Sequence, residues 1–441
     1  MPNKYDVIIV GSGPAGIFAA LELSQASNLN ILLLEKGKDL PQRLNDHSPC
    51  NVVSGWGGAG AFSDGKLTLC PNIGGRLREY LGLERTEELI HYIDSVYLKL
   101  GAPDKIYGGG PEVEEIRSKA ELAGLRLFSM KIRHLGTECC RGGLQRLHQF
   151  LSSKVEVRTN TAATSILSQD GVIRGVTTQQ GEVLECQYLI LAPGREGADW
   201  LFREATKLGL TLHSNMVDIG VRVELPQEVL QQLTDVLYEP KLEFYSQTKQ
   251  RVRTFCMCPA GEVITESTGG DNPVLTVNGH SYTQSKTNNT NFALLVSATF
   301  PEPFRDPISY GKSLARLANI ISGSVIVQRF RDLQKGYCST PTGIDRGHVK
   351  PTLSSAVPGD LATVIPYRFL EAIVEMLFAL DKLASGVASP YTLLYGVEVK
   401  FYSSQLKLTP NLETEIKNAF AVGDGAGVSR GLVQASASGV V

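Results

Sequence analysis

The sequence predicts an α/β protein with a parallel sheet assembled from both ends of the chain, joined to a second, mixed α/β unit. Three observations lead there. A strand, a glycine-rich turn, a helix and a second strand follow one another within residues 5–35. An apolar strand at 419–422 runs into Gly423-Asp424 and a further helix. Between these ends, residues 206–390 change character, with alternating strands and two longer helical stretches.

The first element is the most specific. Tyr5 to Val10 is an apolar strand, and Gly11-Ser12-Gly13-Pro14-Ala15-Gly16 follows it. A helical stretch (Ile17 to Leu23) and the strand Ile31-Leu32-Leu33-Leu34 lead to Glu35. A lone GxGxxG is common, but here both strands, the helix and the acid stand where a dinucleotide site needs them. Gly11 permits the tight turn, Gly13 lets the backbone approach a pyrophosphate, and Gly16 lets helix and strand pack closely. The helix start, with Pro14 and Ala15, offers N–H groups and a partial positive charge to phosphates. Glu35 stands where an acid binds a ribose hydroxyl pair and disfavours a 2′-phosphate.

The far end decides between dinucleotides. Ala419-Phe420-Ala421-Val422-Gly423-Asp424, then Gly425-Ala426-Gly427 and a helix from about Leu432, resembles the second signature of FAD enzymes of the glutathione-reductase superfamily. That resemblance implies that Asp424, with Gly423, binds the ribitol chain and that the Leu432 helix directs its N-terminus at the flavin, whose reduced form is negative there. Gln187 to Gly194 resembles the strand and Ala-x-Gly turn by which such folds re-enter the nucleotide domain. Before it, Val155 to Glu185 is β-rich, with turns at Asp170-Gly171 and Gln180-Gly181. Ala163 and Gly194 join the expected cofactor contacts. The fold expected is a discontinuous Rossmann-type FAD-binding domain, residues 1–205 and 391–441, with a mixed α/β substrate domain at 206–390. The substrate site is expected between the two. No second GxGxxG is found, and Gly108-Gly109-Gly110-Pro111 reads as a loop. NADH or NADPH is therefore expected only as a transient reductant, unless the substrate itself reduces the flavin.

Composition bounds the alternatives. At 441 residues, 42% hydrophobic and 20% charged, the chain is long enough for two or three domains with a large core. A net charge of −2 and the lack of a basic run give no reason to expect nucleic acid. Neither an export signal nor a membrane span is expected. The eight cysteines are scattered without zinc spacing, so no metal site is expected and the thiols fit a reducing, cytoplasmic setting.

Several longer stretches add to the fingerprint: Ser54 to Leu67, Asp218 to Glu224, Phe255-Cys256-Met257-Cys258-Pro259, Val277 to Ser281 and Gly396-Val397-Glu398. With Gly423 to Gly427 they resemble a bacterial family of FAD-dependent dehydrogenases, over most of the chain and in the same order. The family implies an FAD-dependent oxidoreductase and no particular substrate. The sequence departs from its pattern before Cys50, where relatives carry more charge and a second cysteine.

Further site residues follow. The glycines of the loop Gly57-Gly58-Ala59-Gly60 let backbone N–H groups approach a pyrophosphate or flavin edge. Asp64 and Lys66 are catalytic candidates in the same loop. Arg43 and Lys36 are candidate partners of adenosine or pyrophosphate, and Arg430 of the flavin. Cys256 and Cys258, i and i+2 on a strand, face one side and form a candidate dithiol, with Arg251 and Arg253 as the expected nearby cations. Arg222 is read either as a substrate ligand or as a structural ion pair with Glu224 or Asp218, and His280 either as an acid–base group or as a turn residue. An oxidoreductase acting on a small molecule is the leading reading. An NAD(P)H-fed flavin monooxygenase and a redox-carrier or regulatory flavoprotein with a protein partner stay open. Oligomeric state is not readable from the sequence.

Overall fold

A computed structural model of the chain describes residues 4–44, 54–62, 65–128, 130–213, 216–268, 273–281, 286–298, 307–400 and 405–441. The chain forms two compact units. One comprises Met1–Ile106, Ile132–Asn215 and Ser403–Val441, the other Tyr107–Lys131 and Met216–Tyr402.

The first unit is built on a seven-stranded sheet. Strands Glu156–Arg158, Ile31–Leu34, Lys4–Val10 and Val183–Leu191 lie side by side in parallel. Val10 stands level with Leu34 on one side and Leu191 on the other. All four residues of Ile31–Leu34 are buried, as a strand covered on both faces requires. The strand Val183–Leu191 changes partner along its length. Its start pairs antiparallel with Val172–Thr178, and its end pairs in parallel with Ala419–Ala421, so the two ends of the chain share one sheet. The hairpin Ala163–Gln169 to Val172–Thr178 turns through Asp170 and Gly171, both at positive φ (52° and 74°). That conformation matches the primed turn that the Asp-Gly pair predicts.

The fingerprint helix Pro14–Ala26 begins with Pro at its first turn and buries Ala15 to Leu21. The C-terminal helix Leu432–Val440 packs on it closely: a side chain at Gly439 would stand 2.1 Å from the Ala15 carbonyl. The helix Thr137–Ser152 carries Gly142 and Gly143 in its interior.

The second unit centres on an eight-stranded sheet. Its middle strands, Leu393–Lys400, Val217–Pro226 and Asn289–Ala298, run antiparallel. Every residue of Leu393–Lys400 is buried, Glu398 among them. Helices Gln227–Leu237 and Tyr367–Leu383 contribute Leu230, Leu233, Ile373 and Leu377 to the core beneath the sheet.

These units differ from the expected division at 205/206 and 390/391. Residues 107–131 lie with the second unit because Arg126–Phe128 extends its sheet beside Lys241–Tyr245, and Val113 and Ile116 of the helix Pro111–Leu122 join its core. Residues 391–402 lie there because Leu393–Lys400 pairs with Val217–Pro226. Residues 206–215 stay with the first unit, where Leu212–His213 pairs with Gln405–Leu406. Asn278 and Gly279 lie within the strand Val274–His280. Among the described residues no helix is long and apolar enough to cross a membrane.

Candidate functional site

The glycine turn is shaped by close approach. Gly11 stands at φ 104°, and a side chain there would meet the Ala192 carbonyl at 2.1 Å. A side chain on Gly16 would meet the Gly11 carbonyl at 1.9 Å. Gly13 is different: an added Cβ would meet nothing within 4 Å. It caps the fingerprint helix in an extended conformation, and no side chain among the described residues caps that terminus. The first N–H groups of the helix have no intrahelical acceptors, and the open space over Gly13 is a cradle for an anion.

Around this turn the first unit gathers three other segments. Gly57 N–H donates to the Ser12 carbonyl at 2.8 Å, and a side chain on Gly58 would touch Gly13 Cα at 3.0 Å. One on Gly60 would stand 2.9 Å from Leu432 Cδ2 and 3.2 Å from Pro14 Cγ, while Ala59 between them is exposed. The Gly-Asp loop packs on the return segment, with the Cβ position of Gly425 2.4 Å from the Gly194 carbonyl. That of Gly423 lies 3.0 Å from Ala15 Cβ. Asp424 is partly exposed and accepts hydrogen bonds from Arg195 Nε (3.2 Å) and Nη2 (3.0 Å). Fingerprint, glycine loop, return segment and Gly-Asp loop therefore meet at one place.

Glu35 is the hub of this arrangement. Its Oε2 accepts from Ser12 N–H (3.0 Å) and Ser12 hydroxyl (2.8 Å), and its Oε1 from Gly37 N–H (2.8 Å) and Gly55 N–H (3.0 Å). A carboxylate has about four lone-pair positions, so protein donors fill it in this structure. Its backbone carbonyl accepts from Thr161 N–H at 2.9 Å, which brings the Ala163 segment alongside. Arg43 is fully buried; its Nη1 donates to the Trp56 and Gly58 carbonyls and fixes the loop from within. Burial lowers its guanidinium to about 10, with Glu35 acting the other way, so it stays charged at neutral pH.

Lys36 forms an exposed ion pair with Glu196 at 3.5 Å. Lys66 lies in the strand Lys66–Thr68, paired with Ile132–His134. Asp64 falls outside the described residues. The exposed Arg430 donates its backbone N–H to the Gly74 carbonyl at 2.8 Å. Cys256, Cys258 and Arg222 belong to the second unit. Arg222 is fully buried, bonded to Asn291 Oδ1 (2.8 Å) and to both oxygens of Glu398 (3.1 Å each), neither of the acids expected for it. This corrects its reading as a substrate ligand. The cations expected beside the two cysteines also have other partners, Arg251 pairing with Glu243 and Arg253 with Asp218.

Three contributors were missed in the sequence. Ser12 occupies a variable position of the GxGxxG pattern, yet holds Glu35. Gln434, 1% exposed, donates to the Pro71 (3.3 Å) and Ile73 (3.0 Å) carbonyls and ties residues 71–77 to the C-terminal helix. A polar residue in the apolar run Leu432 to Ala437 was the available signal. The Ser429 hydroxyl is buried without a hydrogen-bond partner among the described residues, an unfilled polar position just before that helix. With the open cradle at Gly13, it fits a bound dinucleotide better than an empty structural turn.

Comparison with known proteins adds the chemistry. Residues 6–42 match the family described as "FAD binding domain", and residues 57–215 match "Flavin containing amine oxidoreductase". The cofactor is FAD. Residues 216–401 match "FAD-dependent protein, C-terminal domain-like". The protein is an FAD-dependent oxidoreductase. A protein of Clostridium beijerinckii named "Uncharacterized protein" is 29% identical over 471 residues, covering 98% of this chain and 79% of that one. Solved structures include 3-ketosteroid-delta4-(5alpha)-dehydrogenase from Rhodococcus jostii RHA1, at 14% identity and TM-score 0.43, covering 99% of this chain and 95% of that one. Glycine oxidase from Geobacillus kaustophilus is 13% identical with TM-score 0.38, covering 99% and 93%. Similarity at this level carries no information on substrate.

Proposed function

We propose that this FAD-dependent oxidoreductase exchanges hydride equivalents with a small organic molecule, as a dehydrogenase or oxidase, and that it belongs to the bacterial FAD-dependent dehydrogenase family its sequence resembles. When bound, FAD supplies hydride acceptance and release at its N5 atom. The observation that carries the reading is the meeting of the open Gly13 turn with the Gly57–Gly60 loop and the Gly423–Gly425 loop.

Each residue then has a physical task. The N–H groups at the start of the fingerprint helix bind the pyrophosphate, and Gly13 keeps that space clear. Glu35 and Arg43 hold the turn and the loop in register, acting through Ser12, Gly55 and Gly58. Asp424 binds the ribitol hydroxyls, and its hydrogen bonds from Arg195 hold the carboxylate in place. The C-terminal helix, with no side-chain cap on its N-terminus at Gly431 among the described residues, favours negative charge on a reduced flavin. The second unit selects the substrate. A cytoplasmic setting fits Cys186 and Cys338, which remain thiols.

The test is anaerobic reduction of the FAD-loaded protein, followed by flavin absorbance, with NADH and NADPH supplied separately. Slow or absent bleaching by both, with rapid bleaching by a small organic donor, supports the proposal. Rapid bleaching by either nicotinamide, followed by oxygen-dependent hydroxylation of a substrate, would replace it with a monooxygenase.

A further inference from the structure

Cys256 and Cys258 meet by a route that simple strand alternation does not describe. The strand Arg251–Cys258 shifts register against Asn289–Ala298 between Phe255 and Cys258, and Cys256 takes a positive φ of 45°. This bulge brings the two sulfur atoms to 4.0 Å. Cys258 is 1% exposed, whereas Cys256 is only partly buried, so the pair has one inner and one accessible sulfur. Arg222 spans both: its Nη2 donates to the Cys256 carbonyl at 2.6 Å and lies 3.6 Å from Cys258 Sγ. The guanidinium rests against Gly279, where an added Cβ would stand 2.0 Å from Nη2. Glu398 balances Arg222, but Lys400 Nζ sits 3.1 Å from that carboxylate and adds a second cation, itself 3.9 Å from the partly exposed Glu266.

We propose that Cys256 and Cys258 are a redox-active dithiol that closes to an intramolecular disulfide by exchange with a small organic disulfide, Arg222 being the positioning residue. A cation beside a sulfur favours the thiolate, which is the reactive form. A disulfide needs about 2.0 Å between sulfurs, and side-chain rotation from 4.0 Å supplies the difference. The Cys256 thiolate attacks one sulfur of the external disulfide, whose S–S bond breaks and releases one thiolate. The Cys258 thiolate then attacks Cys256 Sγ in the mixed disulfide and releases the second thiolate. The protein loses two electrons, the external disulfide gains them, and the two cysteine protons end on the two released thiols.

The experiment equilibrates the intact protein with glutathione and glutathione disulfide at set ratios, quenches in acid, alkylates, and maps the tryptic peptide Thr254 to Lys286. Cys256 and Cys258 are the only cysteines in that peptide. The expected product is this peptide with an internal disulfide, lighter by two hydrogens and unalkylated. Cys258→Ser should instead retain glutathione on Cys256. Arg222→Lys, which keeps the charge but loses the planar fork, should move the pH profile of closure upward by about one unit. A peptide that stays fully alkylated at every ratio, or native protein that holds glutathione as Cys258→Ser does, overturns the dithiol. An unmoved pH profile in folded Arg222→Lys overturns the role given to Arg222.

Discussion

Ser12 and Glu35 are bonded twice: the Ser12 backbone N–H at 3.0 Å and its hydroxyl at 2.8 Å both donate to Glu35 Oε2. With Gly37 and Gly55 on the other oxygen, one buried carboxylate organises the glycine turn and the loop that packs on it. Ser12→Ala removes one neutral donor and should cost about 1 kcal/mol, whereas Glu35→Ala strands several buried donors and should cost about 3 kcal/mol or more. Urea unfolding separates the two. Equal costs for both variants would contradict the hub role.

Gly13 and Gly16 part company on substitution. Gly16→Ala drives a methyl to within 1.9 Å of the Gly11 carbonyl and should destabilise the protein by about 3 kcal/mol. Gly13→Ala meets nothing within 4 Å and should leave the melting temperature nearly unchanged. Its methyl fills the anion cradle, so FAD affinity should fall at least about tenfold, or roughly 1.4 kcal/mol. Thermal melts of the apoprotein and FAD titration read the two effects separately.

In the second unit, Glu398→Leu leaves the fully buried Arg222 without its carboxylate and should cost about 3–5 kcal/mol. The double variant Arg222→Met/Glu398→Leu should be less costly than Glu398→Leu alone, because the buried guanidinium is removed with its partner, and Lys400 keeps Glu266 at 3.9 Å. A double variant that unfolds at lower denaturant than the single would contradict this account.

Cys186 predicts an alkaline weakness. Burial pushes its thiol from the ordinary 9.0 up to about 12, against a smaller opposing hydrogen bond with the Ile8 backbone. Below pH 9 both folded and unfolded chains hold the proton and the full contribution is present. As pH rises from 9 to 12 the unfolded chain sheds it first, so stability is lost across that window. Cys186→Ala should make the fall shallower by about 1.4 kcal/mol per pH unit, measured as the denaturation midpoint against pH.

What was readable in advance depended on local sterics. Gly11 and Gly16 stand where only glycine fits, Asp170-Gly171 makes its hairpin, and Ile31–Leu34 is apolar because both faces are covered. Contacts between distant residues were not readable. Arg222 finds Glu398 176 positions away, although Glu224 is two residues from it. Residues i and i+2 of a strand share a face, but Asn289, Thr352 and Tyr395 donate to Glu224 instead. Residues 107–131 joined the second unit through a three-residue strand, Arg126–Phe128, too short to signal its partner. Arg43 was anticipated near the nucleotide, but its burial and its bonds to the Trp56 and Gly58 carbonyls depend on a loop whose path the sequence does not reveal.

Equilibrium titration of the apoprotein with FAD, followed by flavin fluorescence and absorbance, tests the central claim most directly. Saturable binding of one FAD per chain is expected, weakened by Gly13→Ala and by Asp424→Ala while both variants remain folded. A folded protein that stays colourless in excess FAD, or one whose affinity is indifferent to both substitutions, would contradict it.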